Sequence, residues 1–199
     1  MKKIGVFGGT FDPVHVAHLH MAQCALEQAG LDKVVFVPNG TPPHKENQRI
    51  LSASHRYNML RLATEDNPGF EVSDYEISRQ GYCYTVDTMR AFRSDNPDCE
   101  YVFVIGADSL DYVDKWYQAP QLIAENHFVV ALRNFRQGYD FEANIRKIRD
   151  MGGSVEIVEM PPLDVSSTYI RELASKGCNV GYLTTYKVGC YIRDNKLYC

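Results

Sequence analysis

Short runs of β-branched and aromatic residues alternate along the chain with longer stretches in which apolar residues recur at every third or fourth position. The runs are Ile4 to Phe7, Val34 to Val37, Glu71 to Ser73, Tyr101 to Ile105, His127 to Leu132 and Val155 to Met160, and their make-up predicts strands. The longer stretches, His18 to Ala29, Ser54 to Glu65, Thr85 to Ser94, Phe141 to Met151 and Ser167 to Ser175, have the spacing of amphipathic helices. Strands this apolar are buried on both faces, so the pattern predicts an α/β protein with a parallel sheet covered by helices. In open sheets of that kind ligands sit beyond the carboxyl ends of the strands. Chemistry is therefore expected in Gly8 to His18, Asn39 to Ser52, Gly106 to Trp116, Arg133 to Tyr139 and Pro161 to Thr168.

A chain of 199 residues without a visible linker or repeat predicts one domain over 1–199. Its 45% hydrophobic, 23% charged and 12% aromatic residues exclude a disordered or fibrous chain. Twenty-one basic residues against 25 acidic ones give a net charge of −4, so no general positive field exists to gather nucleic acid, and none is expected as a partner. No apolar run approaches the roughly 20 residues of a membrane-spanning helix. The apolar stretch after Met1 to Lys3 breaks at Gly8 and Gly9, too early for a secretory signal, and a cytoplasmic location without membrane contact is expected. Cys24, Cys83, Cys99, Cys178, Cys190 and Cys199 include no C-x-x-C pair, which removes support for a zinc ribbon or a dithiol redox site.

The first strand is not followed by the G-x-G-x-x-G of dinucleotide-binding enzymes, and G-x-x-x-x-G-K-S/T occurs nowhere. Instead the strand runs into Gly8-Gly9-Thr10-Phe11-Asp12-Pro13-Val14-His15-Val16-Ala17-His18, a glycine-rich turn leading into a helix. Histidines three residues apart share one helix face, beside main-chain N–H groups and a positive dipole end that favour an anion. Two imidazoles there could grip a phosphate chain. A capped or solvated helix end is the plainer alternative, and zinc is a weaker one, because H-E-x-x-H spacing is absent. For Asp12 the plainer alternative is turn chemistry at Asp-Pro. Near the other end, Asp164-Val165-Ser166-Ser167-Thr168-Tyr169-Ile170-Arg171 reads as a helix start with several possible caps. A cation at Arg171 opposes the helix dipole unless a bound anion reverses the sign, although a surface arginine with a buried stem also fits.

Together these two segments resemble the nucleotidyltransferase superfamily, whose members carry a (T/S)-F-D-P-x-H-x-G-H element after the first strand and S-S-T-x-I-R at a late helix start. Within it the chain resembles the bacterial-type nicotinate-nucleotide adenylyltransferases over essentially its whole length. Pro42-Pro43-His44-Lys45, Tyr84-Thr85-Val86-Asp87-Thr88, Ile105-Gly106-Ala107-Asp108 and Lys115-Trp116-Tyr117 are similar to that family's P-P-H-K, Y-T-x-D-T, G-A-D and K-W-Y elements. One position departs from the pattern: Ala17 stands where the family usually has glycine.

The resemblance implies a Rossmann-like, doubly wound sheet in a single domain, and transfer of an adenylyl group from ATP to nicotinate mononucleotide. It implies that His15, His18 and Arg171 serve catalysis and that Gly8, Gly9, Thr10 and Phe11 form the loop around ATP. Ser167, Thr168 and Arg171 would hold the β- and γ-phosphates, with Lys45 as a mobile cation or simply a solvated loop lysine. Gly106 and Asp108 would take the adenosine ribose, and Arg133 would line the adenine pocket or be a surface arginine. Trp116 would stack on the pyridine ring, with main-chain donors near Thr85 and Tyr117 for its carboxylate; Asp12 and Asp108 complete the expected substrate contacts. Mg²⁺ is expected with the phosphates, and no protein metal ligand is assigned. A homo-oligomer is compatible with the sequence. The same chemistry on nicotinamide mononucleotide or phosphopantetheine, and a nucleotide-sensing module without turnover, are the rival readings. The Asn39 to Ser52 loop is expected to order on binding.

Overall fold

The computed structural model describes residues 1–40, 50–133 and 141–199, apart from the side chain of Arg133. Six strands, β1 (Lys2–Gly9), β2 (Lys33–Pro38), β3 (Phe70–Val72), β4 (Cys99–Gly106), β5 (His127–Arg133) and β6 (Ser154–Met160), form one sheet. Their order is β3-β2-β1-β4-β5-β6, and every pairing is parallel. The helices are α1 (Val16–Gln28), α2 (Ala53–Thr64), α3 (Thr85–Asp95), α4 (Ala119–Glu125), α5 (Phe141–Asp150), α6 (Ser167–Ser175) and α7 (Tyr186–Asp194). This is the doubly wound, Rossmann-like fold that the residue pattern and the resemblance predict.

Alternation along the strands builds two cores, one on each face of the sheet. Phe7, Val34, Phe36, Val102, Val104, Val129 and Ala131 pack with α1, α2, α6 and α7, through residues such as Met21, Met59, Leu60, Ile170 and Val188. Their neighbours Val6, Val35, Val37, Phe103, Ile105, Phe128 and Val130 point the other way, onto Val86 and Met89 of α3, Leu122 and Ile123 of α4 and Ile145 and Ile148 of α5. Both faces are covered, which accounts for strands that read as continuous apolar runs. Among the described residues no helix is long and apolar enough to cross a membrane.

Two helices, α4 and α7, go beyond those the spacing predicts, and α1 begins at Val16 rather than at His18. The last difference has chemical weight. His15 becomes the residue that caps α1, and Ala17 lies inside the helix, fully buried.

Candidate active site

Strand order reverses between β1 and β4, the place where a doubly wound sheet leaves a crevice at the carboxyl ends of its strands. The Gly8–His18 segment leaves β1 on one side of that crevice, and Gly106 and Asp108 leave β4 on the other. Asp108 is exposed on a 3-10 turn over Ala107–Asp111, whose capping position is Gly106.

The glycine-rich loop is shaped from beneath. A side chain at Gly9 would bring its Cβ within 2.9 Å of the Phe11 ring, so only glycine fits over that buried phenyl. At the start of α1 the rings of His15 and His18 stack 3.7 Å apart, and the His15 N–H donates to His18 Nδ1 at 3.3 Å. An accepting Nδ1 carries no proton, so the neutral His18 ring holds its hydrogen on Nε2 and is a donor there. His15 is buried and His18 half-exposed.

The start of α6 is tied directly to this loop. Ser167 Oγ donates to the Pro13 carbonyl at 2.9 Å, and Arg171 donates to the Asp12 carbonyl at 2.8 Å and to Thr168 Oγ1 at 3.2 Å. Sequence segments more than 150 positions apart thus meet as one surface. Ser166 caps α6 by accepting the Tyr169 N–H at 3.2 Å. Ser166→Ala is expected to cost about 1 kcal/mol of stability, the usual worth of such a cap, measured as a lower denaturant midpoint at unchanged slope.

Asp12 has a different setting from the substrate contact the resemblance implies. The residue is 3% exposed and both carboxylate oxygens are engaged within the protein: Tyr198 Oη donates to one at 2.8 Å and the Leu51 N–H to the other at 3.4 Å. Burial, followed by the Asp12 carboxylate beside it, pushes the Tyr198 hydroxyl far above its ordinary range, so it stays protonated and donates.

Next to the glycine-rich loop a pocket of about 200 Å³ is lined by Gly8, Thr85, Phe103, Lys115, Trp116 and Tyr117 among others. Trp116 is half-buried, held edge-on by Phe103 at 6.1 Å, and the Tyr117 ring stacks on Tyr84 at 4.0 Å. Tyr84 precedes α3 and offers no side-chain cap, which leaves the start of that helix as a main-chain donor site at the pocket. Thr85, Trp116 and Tyr117 are therefore brought together, with Gly8 shared between pocket and loop.

Lys45, with its Pro42-Pro43-His44 neighbours, and the side chain of Arg133 lie outside the described residues, as does most of the loop expected to order on binding. Three residues that the sequence motifs do not include are central. Arg56, 2% exposed, donates to the carbonyls of Thr10 (2.9 Å), Asn39 (2.7 Å), Gly40 (3.3 Å) and Leu51 (3.1 Å). Glu76 lines the pocket and accepts from Thr88 Oγ1 at 2.7 Å; burial raises its carboxyl, while the Thr88 and Gly40 hydrogen bonds pull the other way. Tyr198 is the third. A signal for Arg56 existed: it falls on the same α2 stripe as Met59 and Leu60, where a charge is out of place unless it is bonded.

A model of the cytidylyltransferase-like family matches residues 6–173. The nicotinate-nucleotide adenylyltransferase of Bacillus subtilis is 39% identical over 198 residues, covering 100% of this chain and 99% of its own length. The chain belongs to the nicotinate-nucleotide adenylyltransferase family. A probable nicotinate-nucleotide adenylyltransferase of Symbiobacterium thermophilum is 40% identical over 202 residues, with 100% of this chain and 96% of that protein covered. The Plasmodium falciparum nicotinic acid mononucleotide adenylyltransferase complexed with NaAD shares the fold, with a TM-score of 0.82 over 100% of this chain and 98% of that chain at 20% identity. The residues matched by the broader family model run from β1 into α6, so α7 and Tyr198 lie beyond them, while the full-length adenylyltransferase relatives span both. Among the described residues no group of three or more His, Cys, Asp or Glu side chains is placed to hold a metal ion.

Proposed function

We propose that this protein transfers the adenylyl group of ATP to nicotinate mononucleotide, giving nicotinate adenine dinucleotide and pyrophosphate for NAD synthesis. One observation carries the reading: Arg171, bonded to the Asp12 carbonyl, brings the α6 and α1 helix starts together at a crevice that continues through Gly8 into an aromatic pocket. Two helix starts suit a polyphosphate, and the pocket suits a flat ring with an anionic edge.

A mononucleotide phosphate oxygen attacks the α-phosphorus of ATP in line, and the bond from that phosphorus to the α,β-bridging oxygen breaks as pyrophosphate leaves. The attacking monoester has a second pKa near 6 and is mostly ionised at neutral pH, so no general base is required. Holding both reactants in line can supply up to about 7–11 kcal/mol of barrier lowering, and each donor aimed at developing charge adds a few more. His18, with its Nε2 hydrogen, and His15 are assigned to the phosphates near the reacting centre. Gly9 and Thr10 donate from the loop, and Thr168, Arg171 and the main chain of Ser167 take the β- and γ-phosphates; Arg171 has five N–H donors, of which the two bonds described use only a part. Gly106 and Asp108 face the ribose. Mg²⁺ bound to the ATP phosphates would offset their charge, and no protein side chain is assigned to hold it.

In the acceptor pocket Trp116 stacks on the pyridine ring, and main-chain N–H groups near Thr85 and Tyr117 receive the nicotinate carboxylate. Trp116→Ala is expected to raise the acceptor KM by about fivefold to a hundredfold and leave the ATP KM nearly unchanged, since base stacking is worth about 1–3 kcal/mol. Equal changes in both constants would contradict the assignment. Ala17→Gly tests the departure from the family pattern. Because Ala17 lies inside α1 with its methyl fully buried, the glycine variant is expected to lose about 1 kcal/mol of stability at unchanged ATP KM. The whole reading is tested by product analysis with labelled ATP: the α-phosphorus must appear in a dinucleotide, with one pyrophosphate per dinucleotide formed.

A further inference from the structure

Behind the phosphate loop lies a network that the catalytic reading does not use. The loop needs it, because Phe11 sits at φ 49°, in the left-handed region that a bulky aromatic residue rarely adopts. Its ring is 2% exposed, packed against Phe7 at 5.4 Å and Phe36 at 5.8 Å. A backbone shape of that kind persists only where the surroundings over-determine it.

The surroundings are specific. Arg56 donates to the carbonyl of Thr10, just before Phe11, and the Asp12 carboxylate, just after it, accepts from Tyr198 and from the Leu51 N–H. Arg56 Nε donates in turn to the Leu51 carbonyl at 3.1 Å, closing a ring of bonds around the strained residue. Tyr198 enters this ring from a segment 186 positions away. From the same loop hangs Arg171, bonded to the Asp12 main-chain oxygen.

We propose that Arg56 and Tyr198 are positioning residues for adenylyl transfer, fixing Thr10–Asp12 so that the loop donors and Arg171 meet one polyphosphate. This rests on reading the crevice as an ATP site. Each residue type is suited to its task. The guanidinium reaches four carbonyls in diverging directions, which a single lysine nitrogen cannot do. The Tyr198 hydroxyl satisfies one oxygen of a buried carboxylate; without it that oxygen is left unsatisfied among the Arg56 and Arg171 charges.

The test compares Tyr198→Phe and Arg56→Lys with Tyr182→Phe, whose ring is 92% exposed and outside the network. Thermal melting establishes folding, and kcat and both KM values are measured on each full-length protein. The expected result is a fall in kcat/KM for ATP of about tenfold in Tyr198→Phe, with the acceptor KM within about twofold, and of about a hundredfold in Arg56→Lys, the scale on which a displacement of roughly 1 Å acts. A folded Tyr198→Phe protein with wild-type kcat and ATP KM overturns the proposal, and so does a lowered melting temperature with unchanged kinetics. If Arg56→Lys does not fold, Tyr198→Phe decides alone. A wild-type protein that forms no dinucleotide would instead count against the ATP-transfer reading, and the Mg²⁺-ATP affinity of the same proteins would then decide the role of the network: weaker binding in Tyr198→Phe supports it, equal binding overturns it.

Discussion

His18→Ala is expected to lower kcat by about a hundredfold or more while the protein still folds, the scale seen when one donor to developing transition-state charge is removed. Folding should survive because His18 is half-exposed at the start of α1, where its Nδ1 accepts the His15 N–H and its ring lies against His15 and the edge of Phe11. The loss should fall on kcat more than on either KM, since charge on the α-phosphoryl oxygens is shared most closely with the enzyme in the transition state. His18→Asn separates the two parts that the ring plays. An asparagine can still accept the His15 N–H but cannot place a donor where Nε2 stood, so capping is kept and turnover is not. Steady-state pyrophosphate release alongside thermal melting gives both readings. A folded His18→Ala protein with wild-type kcat would remove the mechanism.

Arg171→Ala carries the second large effect, a fall in kcat/KM for ATP of about a hundredfold or more, because a phosphate pair with a guanidinium is charge-assisted and geometrically matched. Two losses combine in it. The polyphosphate loses its cation, and the Asp12 carbonyl loses the 2.8 Å bond that ties α6 to the loop. Arg171→Lys distinguishes them: it restores charge without the fork, and is expected to recover only part of the ATP affinity. The acceptor KM should change little, because Arg171 is not among the residues that line the aromatic pocket. Isothermal titration with Mg²⁺-ATP checks the affinity directly, and unchanged affinity in Arg171→Ala would remove Arg171 from the phosphate site.

The strands and five of the helices were legible because their residues report burial locally. Alternation in β1, β2, β4 and β5 sends successive side chains to opposite cores, and each apolar stripe of α1, α2, α3, α5 and α6 lies against the sheet. Helix α7 was not legible, since Gly189 interrupts it. The reason lies in packing: a Cβ there would come within 2.7 Å of the Gly181 backbone, so close approach outweighs helix propensity. Helix α4 is only seven residues long and offers little periodicity to read.

At the site, motif residues that follow a strand or start a helix were legible, and the structure brings Gly8, Thr85, Trp116 and Tyr117 to one pocket and Ser167, Thr168 and Arg171 to the loop after β1. The supporting bonds were not. Nothing near Tyr198 in sequence announces a partner at Asp12, and the four acceptors of Arg56 are main-chain carbonyls, which every residue possesses. Side-chain identity reports which groups can touch a ligand far better than it reports which groups hold them still.

The central claim is tested most directly by pyrophosphate release with Mg²⁺-ATP and, in parallel, nicotinate mononucleotide, nicotinamide mononucleotide and phosphopantetheine. The expected result is turnover that clearly prefers nicotinate mononucleotide. Release with another acceptor alone would leave the ATP half standing and contradict the roles given to Thr85, Trp116 and Tyr117, and silence with all three, in a protein that binds ATP, would contradict adenylyl transfer itself.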